Sequence, residues 1–171
     1  KRFDVESEDA LRARIRTDLE EAAVAKETNR LKEDISRFLL DKTEMDLPES
    51  LVERETSALV KDMLTRAAQQ GGSREMFEQH RDEILGSASQ SARDRVKLSY
   101  IIERIAAEEK ITLEEADVEK HIEVMAQRYG MTSERIRPEI EKHDEGLQNL
   151  RTEVRGNKVM EFLLENAKIK L

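Results

Sequence analysis

Residues 7–48 read SEDALRARIRTDLEEAAVAKETNRLKEDISRFLLDKTEMDLP, and this stretch decides the fold. From Asp4 to Gln70 the chain has no glycine and one proline, Pro48. Ser7 is placed to cap a helix, and Glu8 and Asp9 put negative charge where a helix N-terminus favours it. The helix they open runs for roughly 38 residues, about 57 Å at ~1.5 Å per residue. It ends in a turn at Met45-Asp46-Leu47-Pro48, where Pro48 suits the first position of a returning helix. An ordinary globular helix has about 11–12 residues, so this one reaches across space instead of lying on a compact core.

The apolar positions of that helix change side along its length. At ~100° per residue, Leu11, Ile15, Leu19 and Ala22 fall on one side. Val24, Leu31, Ile35, Phe38 and Leu39 fall on nearly the opposite side. A coiled-coil seam drifts far less, so the two halves are expected to pack on different partners. A break within residues 23–30 would instead give two ordinary helices.

Composition supports an all-α, extended fold. Of the 171 residues, 40% are charged and 37% apolar, which is thin for a single thick core. Two prolines and six glycines leave few strand-and-turn signals. The net charge of −8, with basic residues interleaved among acids, argues against a nucleic-acid footprint. Arg12 and Arg16 share a face with Glu8 and Glu20 at four-residue spacing, which favours solvated ion pairs. There is no cysteine, hence no disulfide and no thiol nucleophile. No stretch approaches the ~18 apolar residues of a membrane span, and no signal peptide is expected. The opening Lys1-Arg2-Phe3 lacks an initiator methionine, which fits a fragment of a longer protein.

Beyond the turn, Val52, Thr56, Leu59, Met63 and Ala67 mark one helical face up to Gly71-Gly72. Ser73 is placed to cap a segment in which Phe77, His80 and Ile84 share a face. Residues 86–92 read either as a linker or as a helix whose small residues allow close packing. The helical reading is preferred, with a weak point at Gly86. Leu98, Ile101, Ile102 and Ile105 continue at helical spacing. Thr112 and Glu115 have capping-box spacing, ahead of Val118, Ile122, Met125 and Tyr129 on one face and a stop at Gly130. Thr132 can start a short segment that Pro138 either restarts or kinks. A last helix is expected from about Glu145 to Ala167, with Leu147, Leu150, Val154, Val159, Phe162 and Leu163 as its buried positions.

Three segments, in this order, resemble the C-terminal domain of trigger factor, a family of bacterial ribosome-associated chaperones. They are Asp46-Leu47-Pro48-Glu49-Ser50-Leu51-Val52-Glu53-Arg54-Glu55, then Arg95-Val96-Lys97-Leu98 with Ile105-Ala106-Ala107-Glu108-Glu109-Lys110-Ile111, and then Glu161-Phe162-Leu163-Leu164-Glu165-Asn166-Ala167-Lys168-Ile169. The resemblance spans residues 1–171. It implies a helical body with two projecting arms that cradle unfolded polypeptide. A linking helix would occupy residues 1–45, the first arm 48–110, the second arm 113–163 and a tail 164–171. It also implies a cytoplasmic, ATP-independent chaperone. Ribosome contact and FKBP-like prolyl isomerase activity would belong to upstream domains absent from this chain. The small-residue run 86–92 and Pro138 depart from the family's pattern. A similar module in parvulin-type periplasmic chaperones makes the module better defined than the compartment.

No constellation carries catalysis, so no enzyme activity is expected of this chain, nor any cofactor or metal. His80-Arg81-Asp82 matches the start of a kinase catalytic loop, but the downstream asparagine and Asp-Phe-Gly are missing. Asp117 and His121 lie at i,i+4, yet two ligands do not make a metal site. What remains is hydrophobic recognition. Methionine adapts to varied partners, and six occur. Met63, Met125 and Met160 lie at core spacing, whereas Met45, Met76 and Met131 sit beside turns. The expected client contacts are therefore Met45, Leu47, Met76, Phe77, Tyr129 and Met131. The expected partners are nascent or unfolded polypeptides, with no direct nucleic acid, no membrane and at most a weak homodimer. The competing reading is a coiled-coil structural or oligomerisation module, against which the switch of face near Val24 counts.

Overall fold

The computed structural model describes residues 7–69, 71, 74–142 and 144–168, with the side chains at 74–76 and 144–145 outside the description. Seven helices make up the described part: α1 (Glu8–Lys42), α2 (Glu49–Gln69), α3 (Arg74–Gln79), α4 (Arg81–Glu108), α5 (Glu115–Tyr129), α6 (Ser133–Glu141) and α7 (Asp144–Asn166). The fold is all-α and extended, a helical body with two projecting helical arms. Its accessible surface is 13897 Å². A compact monomer of 19.8 kDa would expose roughly 8,600 Å².

α1 is one continuous helix of 35 residues, so the alternative break at 23–30 does not occur. Ser7 is its N-cap, and the Ser7 hydroxyl accepts the Ala10 N–H at 3.1 Å. Residues 20–27 are mostly Glu, Ala and Lys, all strong helix formers. Just beyond, Arg30 bridges Glu27 at 2.6 Å and Asp34 at 3.3 Å along the helix surface. Only the C-terminal half packs. Leu31, Ile35, Leu39 and Leu40 are half-buried, and α1 rests on α4 and α7. Residues 12–27 are exposed throughout. The expectation that both halves find packing partners is thus met by the second half alone among the described residues. Val24 shares the packed face but stands exposed, about 10 Å further along the axis than Leu31. Phe38 lies at the edge of that face and is exposed as well.

α2 and the first half of α4 form a hairpin around Val52, Leu59, Ala88 and Ala92, with Leu47, Val60 and Val96 packed against them. Residues 86–92 are helical, as preferred from the sequence. Ala88 and Ala92 are one turn apart and fully buried, so their lack of bulk brings the helices close. α2 begins at Glu49, one residue later than expected, with the Pro48 carbonyl accepting the Leu51 and Val52 N–H groups. Arg93 to Glu49 at 2.7 Å and Arg95 to Glu55 at 3.1 Å tie the hairpin across its rim. The cap expected at Ser73 lies outside the described residues.

The second halves of α4 and α7 pack on each other and on α1, burying Ile101, Ala106, Val159 and Met160. Lys97 of α4 donates to the Leu40 carbonyl at 2.7 Å. That carbonyl is in the last turn of α1, where no intrahelical donor remains and a cation also suits the helix dipole. A second cluster joins α5, α6 and the first half of α7 through Val118, Ile122, Ala126, Ile136, Leu150 and Val154. Gly130 stops α5 with φ +62°, a left-handed conformation that glycine adopts without strain. Pro138 lies within α6, which runs on to Glu141. Met63, expected in the core, is exposed, while Met160 is buried and Met125 half-buried.

The α2–α4 contact yields a paired test. Ala88→Leu overfills a position with no free space and should lower stability by about 1–3 kcal/mol. Gly86→Ala, where a Cβ would meet no atom within 4 Å, should raise it by roughly 0.5–1 kcal/mol. Urea unfolding midpoints of the two variants should move in opposite directions.

Candidate functional site

A cleft of about 600 Å³ opens between α5 and α7, with Lys32 of α1 at its end. The buried stripe of α5 fixes which residues face it. With Val118, Ile122 and Ala126 turned into the cluster, helical geometry directs Lys120, Val124 and Arg128 toward the cleft. Met125 and Tyr129 line its edge. Val124 is 50% exposed and Tyr129 63%. From α7 come Glu153, Asn157, Lys158 and Glu161.

Polar contacts set the spacing of the two walls. Lys158 reaches across from α7 to the Asp117 carboxylate at 2.5 Å and to the Thr112 carbonyl at 2.9 Å. Asp117 also accepts the Glu114 N–H at 2.9 Å. α5 therefore starts after Glu114, two residues beyond the cap expected at Thr112, whose carbonyl is held by Lys158 instead. The hydrogen bond from Lys158, then the one from the Glu114 backbone, hold the Asp117 carboxyl below its usual range. The charges of Lys158 and Lys120 add to the effect. His121 Nε2 lies 3.4 Å from Glu153 on α7. Asp117 and His121, the i,i+4 pair weighed as ligands from the sequence, thus each face a different partner on α7. Below the cleft, Arg137 of α6 pairs with Glu119 of α5, and that hydrogen bond raises the Arg137 pKa. No polar or charged residue is buried among the described residues, so the cleft offers contact surface and charge.

The expected contact residues fall in separate places. Tyr129 is at the cleft, and Met131, 51% exposed, follows it beyond Gly130. Met45 is exposed in the α1–α2 connection. Leu47 beside it is half-buried against the α2–α4 cluster, where it acts as a staple before the helix start. Phe77 is half-buried in α3, and the side chain of Met76 lies outside the described residues. Val124, Lys120, Arg128 and Lys32 were not expected. Val124 was legible as an apolar residue out of phase with the Val118–Ile122 stripe, with a cation four residues away on each side.

Comparison with known proteins gives a consistent family. The family model of the bacterial trigger factor protein (TF) C-terminus matches residues 8–165. Trigger factor of Lysinibacillus sphaericus is 31% identical over 170 residues, covering 97% of this chain and 39% of that protein. Trigger factor of Geobacter metallireducens is 32% identical over 157 residues, covering 90% and 36% respectively. A solved structure of trigger factor domains from Thermotoga maritima superposes with a TM-score of 0.63 over 82% of this chain and 83% of that one. At 19% identity this likeness shows the fold. The chain spans less than two fifths of the length of these curated relatives, and the part it matches is their C-terminus, not the isomerase domain.

The Asp117–Lys158 contact makes a pH prediction with a definite sign. Asp117 has a lower pKa folded than unfolded, where a free carboxyl titrates near ~3.9. Its contribution is present above that value and is lost as pH falls through the folded pKa. Asp117→Asn should lower the urea midpoint at pH 7, and the gap from the wild type should close as the pH drops below about 4. A gap independent of pH would show that the carboxylate charge does not matter.

Proposed function

The chain belongs to the trigger factor family, and we propose that it is an ATP-independent chaperone module that binds exposed hydrophobic segments of nascent or unfolded polypeptides and assists their folding. The observation that carries this reading is apolar side chains left on the surface of a stiff, charged helical frame. Val124 and Tyr129 sit at the cleft, Met131 beside it, and Met45 at the base of the hairpin. Surfaces of this kind, rimmed by polar residues, mark interaction sites. Several weak contacts on one frame raise the effective concentration of each for a tethered client.

Under this reading residues 48–110 and 113–163 act as the two arms, behind a linking helix at 1–45 and before a tail at 164–171. The working compartment is the cytoplasm. Ribosome contact and prolyl isomerisation belong to parts of the longer protein outside this chain. Membership of the family also supports this reading over a coiled-coil module.

The test is direct. Without ATP, a micromolar excess of the chain should slow aggregation of a denatured client diluted into buffer. Burying an apolar side chain from valine to phenylalanine in size is worth about 1.5–3 kcal/mol. Val124→Ser with Tyr129→Ser should therefore weaken client binding by at least about tenfold. If the wild-type chain neither slows aggregation nor shows NMR shifts on adding client, the reading is wrong.

A further inference from the structure

The cleft beside α5 is locally basic on a chain whose net charge is −8. Four lysines and arginines line it against three carboxylates. Asp117 is paired with Lys158, which leaves Lys32, Lys120 and Arg128 against Glu153, beside His121, and Glu161, a local excess of one positive charge with histidine neutral. No hydrogen bond or ion pair within the described residues engages the side chains of Lys32, Lys120 or Arg128. At physiological ionic strength charges are screened over about 8 Å. A group entering the cleft therefore responds to this local excess of cations more than to the acidic surface elsewhere.

The spacing is as informative as the sign. Lys120, Val124 and Arg128 follow one another at four-residue intervals, so cation, apolar surface and cation recur every ~6 Å along one ridge. An extended polypeptide rises ~3.3 Å per residue, and side chains on one of its sides recur every ~6.6 Å. The two repeats match over the three positions. We propose that this cleft selects, among unfolded segments, those with an apolar residue flanked two positions away on each side by a carboxylate. The proposal rests on the client-binding reading above and names the class of segment that this part of the surface takes. The apolar residue lies against Val124, Met125 and Tyr129, and the carboxylates meet Lys120 and Arg128. Lys32, at the cleft's end, favours a further acidic residue.

Three fluorescent nonapeptides test this. They share a central phenylalanine and carry glutamate, glutamine or lysine at both positions two residues from it. Anisotropy titrations with the chain at low salt should rank them glutamate, glutamine, lysine, with about a tenfold span from first to last. The span should shrink in 0.5 M salt, at which the screening length falls to about 4 Å. Lys120→Glu with Arg128→Glu, on the exposed face of α5 and checked for helicity by circular dichroism, should reverse the order. Equal affinities for the three peptides would overturn the proposal while leaving client binding intact. The wild-type order persisting in the charge-reversed variant would overturn this cleft as its source. Failure of all three to bind would remove the proposal together with the reading beneath it.

Discussion

The C-terminal halves of α1, α4 and α7 share one joint, and every other packed part of the molecule is fixed through it. α4 and α7 each extend beyond the joint, α4 toward the α2 hairpin and α7 toward the α5–α6 cluster. Neither cluster lies on the other's helices, so their relation to each other depends on the stiffness of α4 and α7 and on the contact between those two helices. Polar contacts set the register of that joint. Lys97 holds the last turn of α1, and Arg155 of α7 meets Glu103 of α4 at 3.0 Å. Exposed pairs like the second contribute little each. A lysine on a helix-terminal carbonyl does more, because that carbonyl has no partner within its own helix.

Local rules made most of the helices legible. Ser7 marked the start of α1, Gly130 the stop of α5, and periodicity found Leu150, Val154 and Val159. The misses share one cause. Helical phase says which side a residue faces but not where its neighbour ends. Val24 is in phase with Leu31 yet too far along the axis to be covered. α5 begins late, and Lys158, forty-odd residues away, takes the Thr112 carbonyl that would have accepted the first bond of a helix capped there. The run 86–92 read as helix, but nothing local ranked Ala88 and Ala92 among the most buried positions of the chain.

The candidate site was legible only in fragments. Tyr129 and Met131 stood out as an aromatic and a methionine beside a turn, and both are exposed. The cleft itself joins α1, α5 and α7 across more than a hundred residues of sequence, a juxtaposition that spacing within one helix does not encode. Leu47 illustrates the opposite case. Its place next to a turn fits exposure, yet packing on the α2–α4 cluster half-buries it.

Exposed apolar residues normally invite a chain to fold back on them, and stiffness is what prevents it here. Ile15 lies about 24 Å along α1 from Leu31, beyond the reach of the joint. A continuous helix cannot double back to cover its own stripe without breaking its backbone hydrogen bonds. The same holds for Val124, which Val118, Ile122 and Ala126 keep turned outward by anchoring the other side of α5. The charge on the remaining faces keeps such surfaces in solution. It does not create them. Exposure follows from helices longer than the cores they serve, and the 13897 Å² surface measures how far that principle is carried.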